Sequence, residues 1–376
     1  MNAVAPTPVP RCVLMTADTV GGVWTYALEL ARGLTARGAR LVIATMGRAP
    51  TDAQMRAARS IDGVILECSD YALEWMPDDP WDEVAAAGDW LMRLQKRYRP
   101  DLVHLNGYAH GRLPWRAPVV VAAHSDVVTW FDAVKGEPPP PLFERYQDEA
   151  RAGLAAADLV IAPTQAYLHA VTAAFGHAGP ARAVRNGLGD APPQPPEKAP
   201  VVLAAGRVWD EAKNMAVLGE AAARGPWPLR IAGDAAGPDG EAAPPPGVNT
   251  LGRLEPDALA QELAEAAVFC APSVYEPFGL GPLEAARTGC ALVLSDISTF
   301  RELWDGAALF VPAREPAAWA EACAALADDA ALRRRLAAAA LDRARRYTNR
   351  AMTDATLAAY AAAAGHAPKA AVLAAE

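Results

Sequence analysis

The strongest constraint on the fold is a pattern that occurs twice: short, largely apolar runs separated by stretches long enough for a helix. The first series of runs covers residues 11–16, 41–45, 63–67, 102–105, 119–123 and 159–162. Helical spacing of apolar residues falls between them, from Trp24 to Arg37 and over 82–98 and 143–157. A second series opens at 201–205 and continues through 229–232, 248–251, 268–271, 291–295 and 308–311, with helices expected over 213–224, 256–266 and 282–288. Strands buried on both faces read as continuous rather than alternating apolar runs, so each series predicts a doubly wound parallel sheet. Residues 186–196 are rich in Pro and Gly and read as a linker, whereas residues 237–247 read as a loop. From Pro316 onward the pattern is helical, with helices expected over 329–347 and from about 349 to 364. The expected fold class is therefore α/β, with two Rossmann-like domains over 1–190 and 191–348 and a C-terminal helix in 349–376. A chain of 376 residues exceeds one ordinary core, which agrees. Ligands are expected at the carboxyl ends of the strands.

Several function classes are excluded early. A net charge of −9 without a basic stripe speaks against nucleic-acid binding. The five cysteines have no metal spacing and read as reduced thiols of a cytoplasmic protein. No HExxH, Asp-x-Asp or paired His/Cys spacing occurs, so no bound metal is expected. Residues 1–6 lack the charged and apolar regions of a signal peptide, and no apolar run approaches the ~18 residues of a membrane span. The basic group Arg93, Lys96, Arg97 and Arg99 reads as a solvated helix face, or at most as a peripheral membrane contact.

Chemistry concentrates in the stretch Tyr275-Glu276-Pro277-Phe278-Gly279-Leu280-Gly281-Pro282-Leu283-Glu284. Two carboxylates flank a Gly/Pro turn that runs into a helix, with Pro282 expected at its first position. The amides of Phe278, Gly279 and Leu280 then precede a helix N-terminus, a place that favours phosphate. Arg207 and Lys213 follow the first strand of the second series, where two cations suit a diphosphate. Glu284, expected in the helix's first turn, either complements the helix dipole or chelates a ribose diol. Gly21 and Gly22 close the first strand–helix turn, as a tight turn or as a close backbone approach to a ligand. They do not form GxGxxG, and no acidic residue caps the next strand, which argues against a nicotinamide dehydrogenase. His124, followed by Ser125 and Asp126, ends a strand and reads as a site residue or a core histidine. His104, Asn106, Tyr108 and His110 after the preceding strand face an acceptor or structure their loop. Trp75, Trp81, Trp90 and Trp130 are core residues by default and sugar platforms otherwise.

Together these motifs resemble the retaining glycosyltransferases of family 4, whose GT-B architecture sets two Rossmann-like domains about a cleft. Glu276 to Glu284 matches the family's paired-glutamate signature, and Gly289–Asp296, Arg301-Glu302, Gly206-Arg207, Lys213, Asn186-Gly187 and Gly21-Gly22 also correspond. Arg207 and Lys213 stand one residue further apart than in the commonest form, and Arg185 stands where proline is frequent. The resemblance implies that Arg207, Lys213 and the amides of Phe278, Gly279 and Leu280 bind the donor's diphosphate. It assigns Glu284 to the ribose, Glu276 and His124 to the donor sugar, Gly21 and Gly22 to the phosphate and sugar, and Arg253 and Leu254 to the base. It further implies that the C-terminal helix crosses back onto the first domain.

The activity so implied is transfer of a hexose from a nucleoside diphosphate sugar to an acceptor hydroxyl, by front-face attack with retained configuration. Neither a cofactor nor a metal is required, since the nucleotide sugar is itself the substrate. UDP-hexose and GDP-mannose both suit Glu276, and the acceptor is a saccharide, a lipid-linked or a small-molecule hydroxyl. Acceptor choice is expected in residues 70–82 and 124–141, which carry no portable code. The alternatives are a sugar-nucleotide epimerase and a non-catalytic sugar-nucleotide-binding scaffold.

Overall fold

The computed structural model describes residues 8–190, 197–237, 240–241 and 244–365. Residues 1–6 of the signal-peptide reading, 191–196 of the expected linker and 366–376 of the expected C-terminal segment lie outside the described residues. The chain divides into two compact units. The first takes the chain up to Asp132, then Glu137–Gly189 and the segment from Asn349; the second takes Ala133–Gly136 and Asp190–Thr348.

The first unit alternates strand and helix: β1 (Cys12–Asp18), α1 (Gly22–Thr35), β2 (Arg40–Met46), α2 (Asp52–Arg59), β3 (Val64–Cys68), α3 (Trp81–Tyr98), β4 (Leu102–Leu105), β5 (Val119–Ala122), α4 (Val127–Lys135), α5 (Glu144–Ala156), β6 (Leu159–Ala162), α6 (Gln165–Phe175) and β7 (Ala181–Ala183). The strands lie in the order β3-β2-β1-β4-β5-β6-β7, all parallel. β1 is an interior strand, with Val13, Leu14 and Met15 wholly buried, as expected of a strand covered on both faces. The direction of winding reverses between β1 and β4, so the turns after these strands flank the topological switch point. Sequence periodicity did not show α2, α4 or α6. In α2 only Ala58 is buried, with Ala57 packed beside it on the core, and a capping box between Thr51 and Gln54 fixes the helix start.

The second unit contains β8 (Ala199–Ala205), α7 (Leu218–Arg224), β9 (Leu229–Ala232), β10 (Ala236–Gly237), β11 (Gly240–Glu241), β12 (Asn249–Gly252), α8 (Pro256–Glu265), β13 (Ala266–Ala271), α9 (Leu280–Arg287), β14 (Ala291–Ser295), α10 (Ser298–Trp304), β15 (Ala308–Val311), α11 (Pro316–Asp328) and α12 (Ala330–Ala344). Its parallel sheet runs β12-β9-β8-β13-β14-β15, with the switch point between β8 and β13. β10 and β11 form a separate antiparallel pair within the stretch expected to be a loop.

The chain then returns to the first unit as α13 (Asn349–Gly365), where Met352, Leu357 and Tyr360 join the core formed by β1 and α1. Gly33 of α1 permits this approach: a Cβ there would lie 1.9 Å from Thr353 Oγ1. Asn349 Nδ2 donates to Glu29 Oε2 at 2.9 Å, and the Asn349 amide donates to the Leu188 carbonyl at 2.7 Å. Asn186 and Leu188, expected to begin a linker, are buried in this unit, and the Gly187 amide reaches Met352 Sδ at 3.3 Å. Among the described residues no helix is long and apolar enough to cross a membrane.

Candidate functional site

At the switch point of the second sheet, the turns after β8 and β13 bring together four charged side chains. Lys213 Nζ lies 2.5 Å from Glu276 Oε2, and the pair is partly screened from solvent. Arg207 grips Asp210 with two nitrogens, Nε at 3.1 Å and Nη2 at 2.5 Å from Oδ2. The other Asp210 oxygen accepts from the Ala212 amide at 3.0 Å, so one carboxylate both caps the following turn and orients the guanidinium. The Arg207 guanidinium also lies 5.2 Å from the centre of the Trp209 ring.

Lys213 is not at the start of a helix, contrary to expectation. Residues 211–213 and 215–217 form two short 3₁₀ turns, and only Leu218–Arg224 is α-helical. The break is at Asn214, whose φ of 52° lies in the left-handed region. Its Nδ2 donates to the carbonyls of Pro272 at 3.1 Å and Ala313 at 2.7 Å, while the Val274 amide donates to the Ala212 carbonyl at 2.9 Å. Those bonds tie the turn carrying Lys213 to the loop carrying Glu276. Thr299 Oγ1 anchors that loop from α10 by donating to the Glu276 carbonyl at 2.7 Å.

Helix α9 begins two residues earlier than predicted, at Leu280, with Gly279 as its N-cap at φ 88°. Only glycine holds that conformation easily, and an added Cβ would stand 2.9 Å from Phe300. Pro282 is therefore the third helical residue rather than the first, still among the positions whose N–H has no intrahelical acceptor. Leu280 and Gly281 supply the helix's first two amides, so the donor end is shifted by one residue from the expected Phe278–Leu280 set. Phe278 buries its ring edge-on against Tyr347, which fixes the backbone before the helix. Glu284 is the fifth helical residue, not in the first turn, so complementing the helix dipole does not explain it. Burial pushes its carboxyl up to about 7, against a small opposing pull from Arg287. Arg253 is exposed and Leu254 half-buried after β12.

The first sheet presents different chemistry. Gly21, at φ 88°, is the N-cap of α1 and Gly22 its first residue, both exposed. Thr19 beside them is pinned by a 2.5 Å bond from its Oγ1 to the Arg48 carbonyl and by Gln54 Nε2 on its own carbonyl at 2.7 Å. His124 follows β5 and is half-buried, with its Nε2 2.9 Å from Asn106 Oδ1 and its ring edge-on to Tyr26. Burial, and then the nearby His104, push the His124 imidazole down to about 3. His104 is fully enclosed, with Nδ1 2.9 Å from the Tyr360 hydroxyl, and burial lowers it to about 4. Tyr108 and His110 are buried too: the Tyr108 hydroxyl donates to the Ser125 carbonyl at 2.9 Å, and His110 Nε2 meets the Val84 carbonyl at 2.9 Å. Of the four polar residues around β4, Asn106 alone touches His124. Among the tryptophans, Trp81 is buried and Trp75 is 48% exposed.

Sequence reasoning missed Asp210 and Trp209, which hold Arg207, and Asn214, which shapes the turn of Lys213. The signal for Asp210 was present as an Arg–Asp pair at i, i+3, with the acid standing where a helical turn is capped. Among the described residues no three His, Cys, Asp or Glu side chains gather as a metal site would require.

Comparison with known proteins gives a consistent result. Residues 199–329 match the family Glycosyl transferases group 1, and residues 20–189 match Glycosyltransferase Family 4. A D-inositol 3-phosphate glycosyltransferase of Nocardioides sp. is 25% identical over an alignment covering 92% of this chain and 88% of that protein. A phosphatidyl-myo-inositol mannosyltransferase of Mycobacterium leprae is 38% identical over 103 residues, so the match spans 27% of this chain and 28% of that relative's length. Among solved structures, sucrose-phosphate synthase of Thermosynechococcus elongatus superposes with a TM-score of 0.76 at 19% identity, covering 93% of this chain and 98% of the other. Anabaena HepE in complex with UDP-glucose superposes with a TM-score of 0.70 at 18% identity, covering 93% and 98%. With two parallel Rossmann-like sheets and family matches over both, the chain belongs to the family 4 type of glycosyltransferases and has the GT-B fold.

Proposed function

We propose that this protein transfers a hexose from a nucleoside diphosphate sugar to an acceptor hydroxyl with retained anomeric configuration and without a metal ion. The observation that carries this reading is the Lys213–Glu276 pair, 2.5 Å apart, a few residues before the N-terminus of α9. Departure of the nucleoside diphosphate builds negative charge on the β-phosphate. Lys213, Arg207 and the first amides of α9 meet that charge from positions fixed beforehand, which is how preorganised sites lower a barrier. Glu276 accepts from sugar hydroxyls, Glu284 holds the ribose diol, and Arg253 and Leu254 take the base. Gly21, Gly22 and His124 are assigned to the phosphate and sugar on the family pattern. With cations in place and, among the described residues, no carboxylate assigned as a nucleophile, front-face attack is the course the residues suit, the leaving phosphate taking the acceptor's proton.

UDP-hexose and GDP-mannose are the donors proposed. Anabaena HepE has been solved with UDP-glucose, and the Mycobacterium leprae relative is a mannosyltransferase by name. The acceptor is proposed as a saccharide, lipid-linked or small-molecule hydroxyl. A thermal-shift panel of sugar nucleotides followed by acceptor screening tests the reading, with NMR of the product's anomeric proton. A stabilising sugar nucleotide and a retained product are expected, whereas an inverted product removes the retaining assignment. Donor isomerised without acceptor would make the protein an epimerase.

A further inference from the structure

The polar residues at the carboxyl end of the first sheet settle where one another's protons lie. Asn106 Nδ2 donates to the Thr16 carbonyl at 2.7 Å, and the Asn106 backbone amide donates to Thr16 Oγ1 at 2.9 Å. The side-chain amide is thereby fixed in one orientation, with its oxygen 3.2 Å from His104 Nε2 and 2.9 Å from His124 Nε2. An amide oxygen only accepts, so each imidazole carries a proton on Nε2. His104 Nδ1, left bare, accepts from the Tyr360 hydroxyl at 2.9 Å. The matching nitrogen of His124, Nδ1, has no hydrogen-bond partner among the described residues.

We propose that Asn106 is a positioning residue that fixes His124 as an Nε2–H tautomer, so that Nδ1 is a hydrogen-bond acceptor for a hydroxyl of the sugar substrate. This rests on the assignment of His124 to the sugar made above. The backing for the amide comes from α13, through Tyr360 and His104. The titratable groups facing the two histidines are Tyr26 from α1 and Tyr360 from α13, and burial raises both phenols, so they remain neutral. No positive charge is therefore stabilised on His124, and the low imidazole values agree. A bare nitrogen lone pair suits a neutral sugar hydroxyl and repels a carboxylate, so hexoses are favoured over uronic acids at this position.

The test uses the full chain with ring-¹⁵N-labelled histidine, feasible because only six histidines are present. Wild-type His124 is expected to show a protonated Nε2 and an unprotonated Nδ1 unchanged from about pH 5.5 to 8. In N106D the carboxylate accepts from both rings and favours imidazolium, so His104 or His124 begins to titrate within that range. With a sugar-nucleotide donor, kcat of N106D is expected to fall about tenfold and to gain a pH dependence absent from the wild type. Y360F is expected to shift the His104 ring signals while leaving the His124 tautomer in place. A proton on His124 Nδ1, or titration of wild-type His124 within the range, overturns the proposal and needs no variant to fold. An N106D protein with unchanged His124 signals and unchanged kcat also overturns it. The expected tautomer in a protein that turns over no sugar nucleotide overturns the functional reading and leaves the Asn106 assignment standing.

Discussion

At the end of the second sheet charge meets charge, Lys213 on Glu276 and Arg207 on Asp210, with part of each pair reaching solvent. At the end of the first sheet His104, Asn106, His124 and the two tyrosines touch without a formal charge among them. The folds are alike, and both groups flank a switch point. The difference lies in what each must meet. Cations already held by a carboxylate stay oriented before a diphosphate arrives, so little reorganisation is left for the reaction. At the first sheet a neutral lone pair held in place can accept from a hydroxyl with no charge to desolvate. A parallel sheet thus supplies a place for ligands and leaves the chemistry to the turns.

The largest expected effect comes from removing a charge on the second sheet. K213A should lower kcat by about 10²–10³-fold with a smaller change in acceptor KM, because the phosphate charge it meets grows in the transition state. Steady-state kinetics with the best donor decide this, and an unchanged kcat removes Lys213 from the chemistry.

Next comes the neutral group, tested by acid. His104 binds its proton at about 4 in the folded protein against an ordinary 6.5, so between these values the unfolded chain holds more protons. Its contribution is fully present above about pH 6.5 and is lost as pH falls through about 4, a change of about 3 kcal/mol in all. Urea unfolding of wild type and H104Q across this window should differ in slope. Equal slopes would mean that His104 is not held neutral.

Glu284 gives a third effect, of similar size and opposite sign for the apo fold. Its carboxyl is raised to about 7, so the proton it keeps stabilises the folded chain most below about 4.5, and that contribution disappears as pH rises through 7. A ribose diol needs the ionised form as acceptor. Donor affinity should therefore weaken by up to tenfold per pH unit below about 7, and E284Q should flatten the profile. Calorimetric titration at several pH values measures this. The smallest effect is D210N, which keeps the turn's cap but loosens the two-nitrogen grip on Arg207 and should lower kcat/KM about threefold to tenfold. If D210N equals the wild type, Trp209 and the backbone alone hold the guanidinium.

The sheets were legible because parallel strands buried on both faces are mostly apolar, as 12–15, 119–122 and 291–294 are throughout. The charged stretch was legible because Glu276, Gly279 and Glu284 carry their chemistry at fixed spacing along one segment. Much else depended on contacts distant in sequence. The αL turn at Asn214 follows from carbonyls at 272 and 313, and the state of His124 follows from Asn106, Thr16 and, through His104, Tyr360. Helix α2 is only eight residues long with Ala58 as its one buried residue, so its apolar side is too short to stand out along the chain. Pro282 misled by one turn chemistry imitating another: proline suits any of the first helical positions, and Gly279 set the start earlier.

The docking of α13 into the first unit has a consequence for biosynthesis. The first unit cannot close its core until a segment encoded after the whole second unit has left the ribosome. At ~5–20 residues per second, roughly ten to thirty seconds separate the emergence of Leu188 from that of Asn349. During that interval His104 waits without Tyr360, and the α1 surface around Gly33 has nothing against it. Truncation just before Asn349 should therefore yield a folded second unit attached to a protease-sensitive first.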